Sequence, residues 1–252
     1  MKHLRRLLVL LCALLLVTLE AVLAKPAGVV AVQPQLDFYQ SLSQLLQQHV
    51  QDGQVNYQRL QKDRAALQRL VQQVARYDLK NATAAEKKAF YLNAYNLLVL
   101  DQVIEHYPLK SVMDVAGFFD EQQFRVAGEN LTLNELEKTK LQAPFSDARV
   151  HFALVCAAKS CPPLLNTAYT PASVEAQLEA QTRQALQDPS FIRVQPSRKR
   201  VLISEIFKWY KPEFQQEAPS IASYINRYRQ NKLPKGYTLG YYTYDWSLND
   251  VR

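Results

Sequence analysis

The stretch that most limits what this chain can become is AFYLNAYNLLVL, residues 89–100. It follows Thr83-Ala84-Ala85-Glu86, a capping-box pattern, and its helical character ends near His106, before Pro108. Apart from the tyrosine hydroxyls, only Asn93 and Asn96 interrupt its apolar character. A helix that is apolar on every face has to be covered on every face. The rest of the chain must therefore enclose a central helix. With 252 residues, 48% hydrophobic and 21% charged, it has the material to do so, and wholesale disorder is excluded. Low glycine content and the absence of repeats exclude collagen-like and solenoid arrays. The 3 Cys are too few for a disulfide scaffold or a multi-cysteine zinc module.

The N-terminus reads as a secretory signal over residues 1–24. Lys2, Arg5 and Arg6 precede an apolar run from Leu7 to Val17, and Val22 and Ala24 are small residues at cleavage spacing before Lys25-Pro26. The run falls short of the roughly 20 residues that a bilayer span requires. The sequence thus predicts a secreted or periplasmic protein with no membrane span after cleavage. Cys156 and Cys161 would then sit in an oxidising compartment. The net charge of +7 is scattered. Its one tight run, Arg198-Lys199-Arg200, precedes Val201-Leu202-Ile203 and reads as a solvated turn before a strand, so no nucleic-acid partner is expected.

After the signal, residues 25–49 read as a leader and an N-terminal helix, and residues 50–252 as a globular domain. Asp52-Gly53 marks a turn before a second helix through Leu67, Leu70 and Val74. A hairpin spans 123–133 around Gly128-Glu129-Asn130, and Asn134 to Leu141 looks like a short helix. RVHFALVC, residues 149–156, is the best candidate for a buried strand. Thr170-Pro171 offers a cap and first turn for a helix ending at Gln187. A strand at 200–204, an aromatic-rich helix at 205–210, a helix striped by Ile221, Tyr224, Ile225 and Tyr228, and a strand at 237–246 complete the chain. Helices outnumber strands without regular alternation. The expected fold is α+β, a single helix-rich domain with a small mixed or antiparallel sheet.

Several side chains could carry chemistry. Asn93 and Asn96 share a helix face. Burying an amide unpartnered costs roughly 2–7 kcal/mol, so each needs either backbone partners or a ligand. Strand alternation would place His151 and Cys156 on opposite faces. Cys156 and Cys161 could close a disulfide over a short loop, worth roughly 2 kcal/mol in the chain-entropy model. Alternatively, Cys161 could be a free nucleophile at the start of a helical turn. Every histidine precedes Cys161, so His106 or His151 would be its base. Glu137, three residues after Asn134, suits a capping box or an acid-base role. Asp245 and Asn249 accompany the aromatic run Tyr241, Tyr242, Tyr244 and Trp246, which could form one wall of a cleft or simply pack. No helical His-x-x-x-His or Glu-x-x-His pair suggests a metal, and no cofactor is expected.

AFYLNAYNLLVL, IEHYP, RVHFALVCAAKSCPPL, EIFKWYKPEF and YDWSLN, recurring in this order from about Val50 to Asn249, resemble the family called domain of unknown function 547. The resemblance implies motif positions at Asn93, Tyr95, Asn96, His151, Cys156, Ser160, Cys161, Pro162, Asp245 and Trp246. Where a Glu-His pair would be expected after the hairpin, this chain has Glu137-Lys138. The family name supplies positions and no reaction. Three functions follow as expectations. The first is an extracytoplasmic protein whose pocket, built from Asn93, Asn96, Glu137, Asp245 and Asn249 with His151 and Cys161, binds a small polar or peptide-like ligand. The others are a cysteine-dependent hydrolase or acyl transferase, and a structural or partner-binding envelope module.

Overall fold

The computed structural model describes residues 34–251, with side chains from residue 38 onward. The expected signal peptide and most of the leader lie outside the described residues. The described residues fall in one compact unit, Gln33–Arg252. Helix α1 (Pro34–His49) buries Phe38, Leu42 and Leu46. Strands β1 (Val50–Gln51) and β2 (Gln54–Val55) then turn through Asp52 and Gly53, both at positive φ (50° and 79°). Such a two-residue turn matches the twist of the strands it joins. Helices α2 (Tyr57–Lys62) and α3 (Arg64–Arg76) follow, the first capped by the Asn56 side chain.

Helix α4 (Ala84–His106) is the central helix. Its capping box between Thr83 and Glu86 is formed, and every residue from Lys88 to Leu100 is buried. Lys88 reaches out of the core to Asp147 (3.1 Å) and Glu175 (2.6 Å). Arg149 grips the same Asp147 through two nitrogens, at 2.9 and 2.8 Å. Burial alone would raise the Asp147 carboxyl, but Arg149 and Lys88 outweigh it and hold the carboxyl below its ordinary range. This cluster fixes the 147–152 segment against α4.

Strands β3 (Phe124–Val126) and β4 (Glu129–Leu131) form a hairpin whose turn is Ala127-Gly128, slightly earlier than the sequence suggested. The turn amides donate to Val74 and Ala75 at the end of α3. Helix α5 (Leu133–Glu135) runs into a π-helical stretch, Leu136–Gln142, and then α6 (Ala143–Phe145). Helix α7 (Val174–Gln187) starts later than expected, because the Thr170 carbonyl is taken by the Ser173 and Val174 amides in a preceding turn. Strands β5 (Ile192–Gln195) and β6 (Arg200–Ile203) pair antiparallel. Helices α8 (Ile206–Trp209), α9 (Lys211–Glu217) and α10 (Ile221–Tyr228) precede β7 (Thr238–Tyr241), which lies parallel to β6.

The fold is α+β, as expected, but with three small sheets where one was anticipated: two hairpins and the mixed β5-β6-β7 sheet. The largest departure is RVHFALVC. It is buried but is not a strand. Ala148–Phe152 forms a 3-10 helix, with the Asp147 side chain accepting from the Arg149 amide, and residues 153–156 continue irregularly. An apolar run of this length reads the same in either conformation. Its backbone groups find partners locally and on α4, so no neighbouring strand is required. The predicted final strand also ends early, at Tyr241, because its partner β6 stops at Ile203 and the chain turns into α8. No helix among the described residues is long and apolar enough to cross a membrane.

The core has two parts. One surrounds α4. The other gathers Phe152, Phe207, Phe214 and Tyr224 beside the mixed sheet. Trp246 packs against both.

Candidate functional site

A cavity of about 450 Å³ lies where the two core parts meet. Six stretches of chain build its wall: Tyr95 of α4, Phe119 of the loop before β3, Glu137 of the π-helical stretch, His151 with the following run to Pro162, Trp209 and Tyr210, and Tyr244 with Trp246. One end is aromatic. The rings of Trp209, Tyr244 and Trp246 lie 4.8 to 5.8 Å apart, centroid to centroid. The other end is polar.

The polar end begins with Glu137. The capping box expected between Asn134 and Glu137 forms instead between Thr132 and Glu135, two residues earlier. Glu137 is thereby released from the helix end and buried. Gln142, five residues on, donates to its carboxylate at 2.6 Å, a spacing that suits the π-helical turn. Tyr210 also hydrogen-bonds to it. Burial pushes the Glu137 carboxyl above its ordinary value, against the opposing pull of His151 and Tyr210.

His151 is 4% exposed. Its Nε2 lies 2.6 Å from Glu213 Oε2, and its ring stacks on Tyr210 with centroids 3.8 Å apart. Both contacts come from the α8–α9 region. The 3-10 helix thus brings His151 to the cavity that Cys156 and Cys161 also line, which strand alternation had argued against.

Cys156 and Cys161 stand at disulfide distance, their Cα atoms 6.2 Å apart. The loop between them turns at Ala157, held at φ 56°. For a residue with a Cβ this left-handed conformation costs about 1 kcal/mol. The bend is tied down by the Asn249 amide, which donates to the Ala157 carbonyl at 3.0 Å. The Cys156 amide donates to Cys161 Sγ at 2.9 Å. The Tyr244 hydroxyl lies within 3.1 Å of Cys156 Sγ and 3.2 Å of Cys161 Sγ. Burial raises the Tyr244 pKa, so this hydroxyl keeps its proton.

The remaining predicted residues lie elsewhere. Asn93 donates to the Ala89 and Tyr169 carbonyls and accepts from the Tyr169 amide. Asn96 donates to the Ala153 carbonyl and accepts from the Val155 amide. Both amides clamp backbone to α4 where a ligand contact was expected, and neither lines the cavity. Asp245 is exposed, and its carboxylate accepts from the Ser247 amide. His106 is exposed at the end of α4 and is not among the residues lining the cavity. Asn249 accepts from the Tyr57 hydroxyl at 2.8 Å and borders a second hollow.

That second hollow, about 430 Å³, lies beyond the cysteine loop. Its lining is mostly polar, with Asp52, Lys159, Gln181, Gln184 and Asp188 among the residues around it. Gly53 closes on the loop here: a Cβ at this position would fall 2.2 Å from Pro163 Cβ. Cys161 and Pro162 border both hollows, whereas Cys156 borders only the aromatic one.

Sequence reasoning missed Glu213, Tyr210 and Trp209, and had Tyr95 only as a motif position of the family resemblance. Trp209, Tyr210 and Glu213 lie in EIFKWYKPEF, whose aromatic helix was recognised, but α9 was not read beyond it.

The fold and this cavity define an α+β protein with a sulfur pair and a carboxylate-held imidazole set against an aromatic wall. Residues 79–185 match the family model described as Protein of unknown function, DUF547, and the chain resembles that family over this stretch. The match takes in Glu137, His151 and both cysteines, while Glu213 and the aromatic wall lie beyond it. No curated protein and no solved structure matches the chain.

Proposed function

We propose that this protein is exported and binds a small peptide-like ligand in the aromatic-walled cavity. The ligand's apolar side chain would lie against Trp209, Tyr244 and Trp246. Its polar backbone would face Glu137, His151 and Tyr210. The observation that carries this reading is the convergence of six separate stretches on one hollow with an apolar end and a polar end. Apolar walls with a few placed polar groups are the usual make-up of small-molecule sites.

The chain supplies its own reporter. Its 2 Trp, Trp209 and Trp246, both line this cavity. Dipeptides bearing an apolar side chain should change tryptophan emission saturably, and Tyr210→Ala should weaken that response. A panel that produces no saturable change at millimolar concentration would sink the proposal. Export is tested separately, by N-terminal sequencing of protein recovered outside the cytoplasm; the expected first residue is Lys25.

A further inference from the structure

We propose that Cys161 is the nucleophile of a thiol-dependent acyl transfer, acting on esters or amides whose apolar acyl group occupies the aromatic cavity and whose polar leaving group occupies the adjoining hollow. The proposal rests on the binding reading for the aromatic cavity and adds a reaction to it.

Two observations single out Cys161, and a third supplies a base. It borders both hollows, and Cys156 borders one, so only Cys161 can meet a carbonyl that spans the two. Its sulfur accepts from the Cys156 amide and the Tyr244 hydroxyl, whereas Cys156 Sγ has no backbone donor among the described residues and only a shared contact with that one hydroxyl. Donors aimed at a sulfur favour its thiolate, which is the attacking form. His151 lines the same cavity, and Glu213 holds it by one ring nitrogen. A base oriented by a third group is the arrangement that nucleophilic catalysis uses. Glu213 is here a positioning residue.

The chemistry balances in three steps. Two small thiols first exchange with the Cys156–Cys161 bond, giving one external disulfide and two protein thiols. The Cys161 proton then passes to His151 as Sγ attacks the carbonyl. The bond to the leaving oxygen or nitrogen breaks, His151 returns the proton to it, and an acyl thioester remains on Cys161. Water or an amine finally displaces the thioester, His151 again carrying the proton, and the Cys161 thiol is restored.

The test uses Cys156→Ser, which frees Cys161 without added reductant and keeps the backbone amide that faces it. With p-nitrophenyl hexanoate, this variant should release one burst equivalent of nitrophenolate, and peptide mass mapping should place the acyl group on Cys161. Cys161→Ser, with Cys156 intact, should give no burst. In the Cys156→Ser background, His151→Asn should slow acylation by about 100-fold and flatten its pH dependence, with circular dichroism unchanged. Glu213→Gln should shift the same pH profile. If Cys156→Ser does not fold, wild-type protein reduced with dithiothreitol and freed of it under nitrogen serves for the same readout. Acylation no faster than that of N-acetylcysteine, or an adduct on Cys156, would overturn the proposal. The double variant lacking both sulfurs separates the two readings. If hexanoyl amide still changes its tryptophan emission, binding survives and only the nucleophile falls.

Discussion

Two sets of buried polar groups sit within a few turns of each other and behave oppositely. Along the central helix, the Asn93 and Asn96 amides make five hydrogen bonds of 2.7 to 3.0 Å to backbone, four to neighbouring loops and one back to Ala89 of the same helix. Across the cavity, Glu137 and His151 are held by side chains, Gln142, Tyr210 and Glu213, and keep a face toward open space. The first set holds the chain in place. The second is held in place by it. Buried polarity therefore does not by itself mark a site; what matters is whether the bonds made close the group off.

The sharpest way to break this contrast is to remove a clamp. Asn96→Ala leaves the Ala153 carbonyl and the Val155 amide without partners in a buried setting. Urea unfolding should show a loss of about 3 kcal/mol. Because Ala153 to Val155 lead into the cavity wall, tryptophan emission should change as well. Asn93→Ala, which frees the Tyr169 backbone instead, should destabilise comparably and leave the emission alone; an emission change there would blur the distinction. Gly53→Ala comes next, at about 2 kcal/mol, from its positive φ and the collision with Pro163.

Smaller effects sharpen the contrast through pH. His49 is 3% exposed in the closed core, with Asp63 3.0 Å from its Nε2. Burial lowers its pKa below the ordinary 6.5, overriding Asp63. The unfolded chain then takes up the proton first, so stability falls as pH drops below about 6.5. Replacing His49 with Gln should remove that slope. Glu137 has the opposite sign. Its carboxyl is raised above the ordinary 4.5, so the unfolded chain ionises first and stability falls as pH rises from there. The stability of Glu137→Gln relative to wild type should therefore grow as pH rises from about 4.5. Parallel denaturation curves for wild type and variant across this range would contradict the burial of that carboxyl.

How much of this was legible depended on whether the cause was local. The central helix was, because an all-apolar run with a capping box admits one solution. The β3–β4 hairpin and α10 were, for similar reasons. The 149–156 segment was not: its apolar pattern suits a buried strand as well as a buried 3-10 turn, and the choice is made by Asn96, over fifty residues away. That choice also decides where His151 points, so the relation of imidazole to sulfur was out of reach. The capping role open to Glu137 did not form, because two Ser/Thr/Asn-to-Glu spacings overlap at Thr132–Glu135 and Asn134–Glu137 and the threonine took the cap. Glu213 needed α9, whose short length and flanking tyrosine and proline gave weak periodicity.

The path of the final residues has a temporal consequence. Beyond β7, Ser247 bridges to Ser111, Leu248 to Ala158 and Asp250 to Val55, so the tail laces together three parts of the molecule made long before it. The same tail carries Tyr244 and Trp246. During folding, α1 to α4 can gather first, but the hollow beside the cysteines has no far wall until residues 244–250 dock. The sulfur pair is thus covered only when this late segment has crossed back over three parts of the fold.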